Sequence, residues 1–344
     1  MNILFYNIGL SNLDSGGGTQ KLLCERAFDV AALCPDAIIT LCGNKVTATK
    51  ALSPQILIAP LPIKEDRQHF LDIFDIVIFF STIEGLEHTT KRVGSRWVLD
   101  LHVWDIQELE KRFVSQLDLI CTRSEPHQAR TAELINNTVP VDFVYNDIDL
   151  EFFRPVSTAA RKPHSLAYAG AIVPHKGTEK ALQAFVLLKQ HIPDLTLDLY
   201  GSGAMWNHGD HFENELKKWV EGVVTFHGAV SRQEMPRIFS QHSILILPSD
   251  LESFSLVSIE AQACGCIPVL HHCGGVETTV INQETGFLYA PNTFEQLAQT
   301  VAYALPRVDT MRDSARQFVA SKFDKKKNAP KYAELITKLG AAKV

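Results

Sequence analysis

Apolar runs of four to seven residues alternate along nearly the whole chain with amphipathic stretches of ten or more, and this alternation constrains the fold more than any other feature. A run of that length is a strand buried on both faces. The mixed stretch after it is a helix that covers the sheet, so their regular succession is a βαβ rhythm that builds parallel sheets. Strands are predicted at 3–8, 37–42, 56–60, 76–80, 97–101, 119–121 and 143–145, with a helix at 19–33 between the first two. Between 151 and 163 the periodicity fails around Arg154, Pro155, Arg161, Lys162 and Pro163, which places a hinge there. The rhythm then restarts, with strands predicted at 166–170, 195–200, 223–226, 244–247, 267–270 and 286–289. Residues 311–339 read as two helices broken around 323–328. The expected class is therefore α/β, with two doubly wound parallel-sheet domains facing a cleft and binding loops at the carboxyl ends of the strands.

Composition agrees with this and removes other classes. A chain of 344 residues, 46% hydrophobic and 21% charged, suits two packed domains and is neither disordered nor fibrous. No apolar run approaches the roughly 18 residues that would span a bilayer, and Met1-Asn2-Ile3 enters a strand without a basic leader. Seven cysteines, at 24, 34, 42, 121, 264, 266 and 273, are odd in number and lie mostly in apolar segments without zinc-ligand spacing. They read as reduced, mostly buried thiols. The net charge of −6 falls on the front half, where residues 1–155 hold 14 Lys and Arg against 21 Asp and Glu. That balance argues against polymeric nucleic acid as a partner. It disfavours an anionic lipid surface, while leaving peripheral contact with the inner membrane face open. The expected location is cytoplasmic.

The most informative segment is Pro248-Ser249-x-x-Glu252-x-Phe254-x-Leu256-Val257-x-x-Glu260-Ala261-x-Ala263-x-Gly265. It leaves the strand at 244–247 and turns into a helix, whose first N–H groups form an anion site. A serine N-cap followed by a solvated glutamate would also read this way. With Pro268-Val269 and Gly274-Gly275 beyond it, however, the Glu252-x7-Glu260 pair resembles the signature of family 4 retaining glycosyltransferases of the GT-B fold. The resemblance implies that Glu260 holds the ribose hydroxyls of a nucleotide sugar and that Glu252 lies against the donor sugar. It further implies that Phe254, Ser255, Leu256 and Val257 offer backbone amides to sugar and phosphate oxygens.

Six further segments resemble the same family. Gly170-Ala171-Ile172-Val173-Pro174-His175-Lys176-Gly177 is similar to the family's Gly-Arg-x4-Lys-Gly loop. It keeps Lys176 to neutralise a departing diphosphate and has Ala171 where the arginine belongs. The loop ending Gly16-Gly17-Gly18 lets backbone approach a phosphate closely, and Gly17 and Gly18 match the family's Gly-Gly pair. His102, at the end of the strand at 97–101, sits where the family carries a His-Asp near the donor sugar, although the aspartate is displaced to Asp105. Asn146-Asp147-Ile148-Asp149 with Phe152 and Pro155 resembles the crossover between the family's domains. Gly201-Ser202-Gly203 and Val224-Thr225-Phe226-His227-Gly228 echo its nucleotide-facing turns. His208-Gly209-Asp210-His211 and His271-His272-Cys273 lack a matched second half, so no metal site is expected.

The resemblance thus implies a GT-B fold of two Rossmann-like domains, with an acceptor domain over 1–155, a donor domain over 156–320 and a terminal helix over 321–344 crossing back to the first. It implies a metal-independent, retaining transfer of a hexose-type sugar from a UDP- or GDP-sugar to an acceptor hydroxyl. Catalytic roles fall on Lys176, Glu252 and His102. Donor-binding roles fall on Gly17, Gly18, Gly170, Phe254, Ser255, Leu256, Val257 and Glu260, and no cofactor is required. The acceptor, whether glycan, lipid-linked, protein or small molecule, is not written in the motifs. Ala171 suggests an alternative, a nucleotide-sugar-binding protein without turnover. A dinucleotide-dependent dehydrogenase is disfavoured, since 16–18 lacks the fingerprint spacing.

Overall fold

The computed structural model describes residues 1–11, 18–204 and 209–341. Contacts divide the chain into two compact units, Met1–Tyr145 with Lys326–Val344, and Asn146–Lys325.

The first unit is built on eight strands, β1 (Asn2–Tyr6), β2 (Ile38–Gly43), β3 (Lys50–Ala51), β4 (Ile56–Pro60), β5 (Ile76–Phe80), β6 (Arg96–Asp100), β7 (Leu119–Thr122) and β8 (Val141–Phe143). They lie in the order β3-β4-β2-β1-β5-β6-β7-β8 and are parallel except for the β3–β4 pair. Its helices are α1 (Gly18–Leu33), α2 (Arg67–Asp72), α3 (Glu108–Phe113) and α4 (Glu125–Leu134). Side chains alternate between two cores, as strand geometry requires. Ile3, Phe5, Ile76, Ile78 and Phe80 pack with Leu23, Ala27 and Val30 of α1 on one face. Leu4, Tyr6, Val77, Phe79 and Trp97 pack with Leu71 and Phe113 on the other. Strand β5 is buried along its whole length, which is why it reads as an unbroken apolar run.

The second unit has six parallel strands, β9 (Ser165–Ala169), β10 (Thr196–Tyr200), β11 (Thr225–Phe226), β12 (Ile244–Leu247), β13 (Ile267–His271) and β14 (Phe287–Tyr289), in the order β11-β10-β9-β12-β13-β14. Helices α5 (Thr178–Lys189), α6 (Gly209–Trp219), α7 (Met235–Gln241), α8 (Leu256–Ala263), α9 (Phe294–Ala304) and α10 (Val308–Lys322) belong to it. Leu166, Leu197, Ile244 and Val269 pack against Phe185 of α5 and Leu297 and Val301 of α9. The last helix, α11 (Lys325–Ala341), returns to the first unit, where Tyr332, Ala333 and Ile336 complete the core beneath α1. Among the described residues, no helix is long and apolar enough to cross a membrane. All seven cysteines are free thiols, and burial pushes Cys42, Cys121 and Cys266 up to about 12.

Three features depart from the sequence-based expectation. The units divide at Tyr145 and Asn146 rather than at 155, because residues 146–156 are tied to the second unit. The Ile148 amide bonds the Phe323 carbonyl (2.9 Å), Phe153 lies under the Arg232 guanidinium (5.3 Å) and the Val156 amide bonds Ser240 Oγ (3.0 Å). The two last helices part at Phe323 and Asp324 alone, with Pro330 accommodated inside α11. The antiparallel β3 is two exposed residues long and has no apolar pattern to announce it.

Inside the second unit the Asp198 carboxylate of β10 stands between His227 Nε2 (2.7 Å) and His242 Nε2 (3.0 Å), with the Tyr200 ring stacked on His227 at 4.5 Å. Burial alone would raise the carboxyl. Its hydrogen bonds to His242 and His227 outweigh that and hold it at about 2. An unfolded aspartate titrates near ~3.9. This contribution is therefore complete above that value and is lost as pH falls toward 2. Asp198→Asn is expected to flatten the loss of stability between about pH 4 and pH 2, measured as the urea midpoint against pH; an unchanged acid limb would remove Asp198 from that transition.

Candidate functional site

In the second unit the strand order reverses between β9 and β12, since β9 leads to β10 on one side while β12 leads to β13 on the other. Open α/β sheets bind ligands at the carboxyl ends of strands at such a switch point. The two loops leaving that point, 170–177 and 248–255, are the ones marked by the sequence motifs, and they are bonded to each other. The Asp250 amide donates to the His175 carbonyl (2.9 Å). Lys176 Nζ lies 2.7 Å from Glu252 Oε1, which also accepts from Ser249 Oγ (2.8 Å). Tyr168 pins the first loop from below: its hydroxyl donates to the Ala171 carbonyl (2.8 Å) and accepts from Thr178 Oγ1 (3.0 Å).

Two glycines permit this approach. Gly177 has φ +69°, and a Cβ there would fall 2.0 Å from the Pro248 carbonyl oxygen. Gly201 has φ +146°, and its Cβ would fall 1.8 Å from the Gly170 carbonyl oxygen. Gly177→Ala is expected to cost at least ~2 kcal/mol, because both the strained backbone and the backbone clash must be relieved by parting the loops. A melting temperature equal to that of the wild type would show that the two loops are not locked together.

Glu252 precedes α8 and Glu260 lies within it, so the helix sets the separation between the two carboxylates. Glu260 Oε1 faces Arg232 Nη2 at 3.8 Å. Leu256 and Val257 occupy the first turn of α8, where N–H groups have no partner within the helix. Phe254 is buried and meets Phe323 edge to face at 5.4 Å, which anchors the loop. Ser255 holds the N-cap position with φ 106°, its side chain makes no capping bond, and its buried hydroxyl has no hydrogen-bond partner among the described residues. A plain N-cap serine would be satisfied by the helix it caps. A non-glycine residue at positive φ costs about 1–3 kcal/mol, and a buried unpaired hydroxyl a similar amount. The Lys176–Glu252 pair, partly exposed, returns about 1 kcal/mol at most. This loop is thus not built for stability; strain and unpaired donors at a helix start suit an anionic ligand. The Gly170 amide is engaged by the Tyr200 carbonyl (2.9 Å), so this residue offers close backbone approach and not a free donor.

In the first unit Gly18 opens α1, while Gly17 lies outside the described residues, as does His208. His102 follows β6 with its ring stacked on Phe80 at 4.2 Å and 29°. Its Nε2 lies 3.3 Å from the carboxylate of Asp100, which is wholly buried. Asp100 also accepts from the Arg123 guanidinium and from the Tyr332 hydroxyl of α11 (2.7 Å). Burial would raise this carboxyl, but Arg123 and His102 hold it well below the usual range. Burial pushes the His102 imidazole down, with Asp100 opposing. Asp105, the nearest aspartate after His102 in sequence, pairs instead with Arg130 (3.0 Å). Sequence reasoning missed Arg123 and Tyr332. Nothing local marks them, since they reach Asp100 across 23 and 232 residues.

Residues 149–317 match the family model described as Glycosyl transferases group 1. Over 179 residues the chain is 32% identical to D-inositol 3-phosphate glycosyltransferase from Arthrobacter sp. (strain FB24), covering 46% of this chain and 41% of that protein. Over 238 residues it is 29% identical to glycogen synthase of Mycobacterium tuberculosis (strain CDC 1551 / Oshkosh), covering 67% and 56%. The chain thus spans about half the length of the curated relatives it matches. Among solved structures it is similar to sucrose-phosphate synthase from Thermosynechococcus elongatus, with a TM-score of 0.84 and 19% identity over 99% of this chain and 100% of that one. It is also similar to Anabaena Alr3699/HepE in complex with UDP-glucose, with a TM-score of 0.77 and 18% identity over 98% and 100%. The two parallel-sheet α/β units are those of the GT-B fold.

Proposed function

We propose that this protein, whose residues 149–317 match the Glycosyl transferases group 1 model on a GT-B architecture, transfers a hexose-type sugar from a UDP- or GDP-sugar to an acceptor hydroxyl with retention of anomeric configuration. The observation that carries this reading is the bonded pair of loops at the β9–β12 switch point. There Lys176, Glu252 and the strained start of α8 gather one cation, one carboxylate and the first-turn amides of a helix.

In this reading Lys176 and the first amides of α8 take up the charge of the departing diphosphate, a role that requires no divalent ion. Glu252, oriented by Lys176 and Ser249, holds the sugar hydroxyls, and Glu260 holds the ribose. His102, whose imidazole is steadied by Asp100, keeps in this proposal the role at the donor sugar that the motif resemblance implies. The acceptor hydroxyl attacks from the face the diphosphate leaves, and a phosphate oxygen receives its proton. The relatives named above are a D-inositol 3-phosphate glycosyltransferase and a glycogen synthase, and their names accord with the hydroxyl acceptor proposed here.

The test is a thermal-shift screen of UDP-, GDP- and ADP-sugars, followed by turnover with excess chelator and anomeric assignment of the product by NMR. A stabilising UDP- or GDP-sugar, chelator-resistant turnover and a retained anomer are expected. Glu260→Ala should weaken the nucleotide at least tenfold by calorimetry while leaving the melting temperature within a few degrees; undiminished affinity would remove Glu260 from the ribose. Ala171 favours a second reading, a binding protein without turnover. Tight donor binding with neither hydrolysis nor transfer over an acceptor panel would select it.

A further inference from the structure

A cavity of about 250 Å³ opens between the edge strand β14 and helix α9, at the end of the second sheet opposite the loops that follow β9 and β12. Its lining is uncharged and rich in carboxamides: Asn282, Gln283, Gln296, Gln299, Thr300 and Tyr303, over a floor of Phe287 and Leu288. The turn before β14 supplies the first two. The others recur along α9 at intervals of three and four residues, so they form one stripe facing the strand.

Three properties set this cavity apart from an ordinary polar surface. Asn282 is fixed, its Oδ1 accepting from the Leu288 amide (3.0 Å), which leaves its NH₂ group to donate outward. The carboxamides of Gln283, Gln296 and Gln299 make no hydrogen bond among the described residues, so four side chains converge with spare donors and acceptors. Tyr303 is 46% exposed yet held in place, edge to face with Phe287 at 5.9 Å and with the Arg307 guanidinium 3.7 Å from its ring centre. A flat aromatic surface beside groups that both donate and accept is complementary to a ring carrying hydroxyls, each of which also both donates and accepts. None of the lining residues is charged, and the nearby Arg307 guanidinium lies against the Tyr303 ring, so hydroxyl recognition is favoured over an ionic ligand.

We propose that this cavity is a carbohydrate-binding site for a neutral oligosaccharide, separate from the donor loops. Tyr303 packs against the apolar face of a sugar ring, while Gln283, Gln296, Gln299 and Asn282 bond its hydroxyls. Such a site would hold a glycan chain on the protein independently of the nucleotide sugar.

The test uses the full chain, with maltoheptaose, cellohexaose and N-acetylchitohexaose as probes, read by saturation-transfer NMR and calorimetry in the presence and absence of UDP. At least one probe is expected to bind with the same affinity with or without UDP. Tyr303→Ala, Gln299→Leu and Gln296→Leu should each weaken it at least fivefold while leaving UDP binding as in the wild type. The glutamine variants keep the result decisive if Tyr303→Ala fails to fold, since they leave the ring and its stack intact. Binding of no probe, or binding that the three variants do not alter, overturns the site. A probe that binds but is weakened only by Glu260→Ala belongs to the donor site and overturns it equally. The UDP measurement reports on the donor loops separately, so the two readings fail independently.

Discussion

Lys176→Ala is expected to lower turnover by about 10²–10³-fold while leaving the protein folded and the nucleotide bound. The magnitude is that of removing one preorganised group that stabilises charge developing in a transition state. The direction follows from the loop itself. Ala171 stands where the resemblance leads one to expect an arginine, so in the proposed transfer the ammonium of Lys176 would carry a larger share of the diphosphate's charge. The cost to folding is small by contrast. The pair with Glu252 is partly exposed, worth about 1 kcal/mol at most, and Glu252 keeps its bond from Ser249. Steady-state rates with the best donor, alongside calorimetric affinity for its nucleoside diphosphate, separate the two effects. Turnover within threefold of the wild type would reduce Lys176 to a surface ion pair. Adding Ala171→Arg to the Lys176→Ala background should recover part of the loss if charge on the leaving group is what matters.

Asp100→Asn is expected to destabilise the first unit by about 3–5 kcal/mol, the penalty for stripping one partner from a buried ion pair. Asp100 and Arg123 are both wholly excluded from solvent. Two nitrogens of Arg123, Nε and Nη1, already have no hydrogen-bond partner among the described residues, so the neutral amide would leave a guanidinium with no compensating charge at Asp100. The Tyr332 hydroxyl would face the same substituted group, loosening α11 at its innermost contact. A urea titration should show the loss, and the double variant Asp100→Asn with Arg123→Met should recover most of it. Equal stability of wild type and Asp100→Asn would mean that the carboxylate is not needed to balance Arg123. Since His102 Nε2 leans on the same carboxylate, the pH dependence of turnover in Asp100→Asn is expected to shift as well, which a purely packing role would not produce.

The parallel sheets were legible because their strands are buried on both faces: Ile76–Phe80 and Ile244–Leu247 read as continuous apolar runs and occur as strands over those residues. The bonding of the loops around Lys176 and Glu252 follows from two segments that leave adjacent strands; the dense motif around Glu252 and Glu260 read by itself, and the Lys176 loop read through its register with that pair. What escaped was stabilised by contacts distant in sequence. The division at Tyr145 depends on Ile148 meeting Phe323, and on Phe153 meeting Arg232, neither of which any local pattern announces. His102 read with Asp105 as its aspartate, yet the carboxylate it meets is Asp100, whose other partners arrive from the residue after β7 and from α11. The strain at Ser255 was equally silent, because a serine before a helix normally signals an ordinary cap.

The return of α11 to the first unit has a consequence for how the chain matures. Translation delivers the amino-terminal 145 residues first, but Tyr332, Ala333 and Ile336 reach the ribosome exit only after the entire intervening unit has been made. Until then Asp100 lacks its tyrosine hydroxyl and the apolar surface beneath α1 stays uncovered. The nested segment, contiguous from Asn146 to Lys325, can collapse without waiting, so α11, made after it, acts as the latch for the first unit.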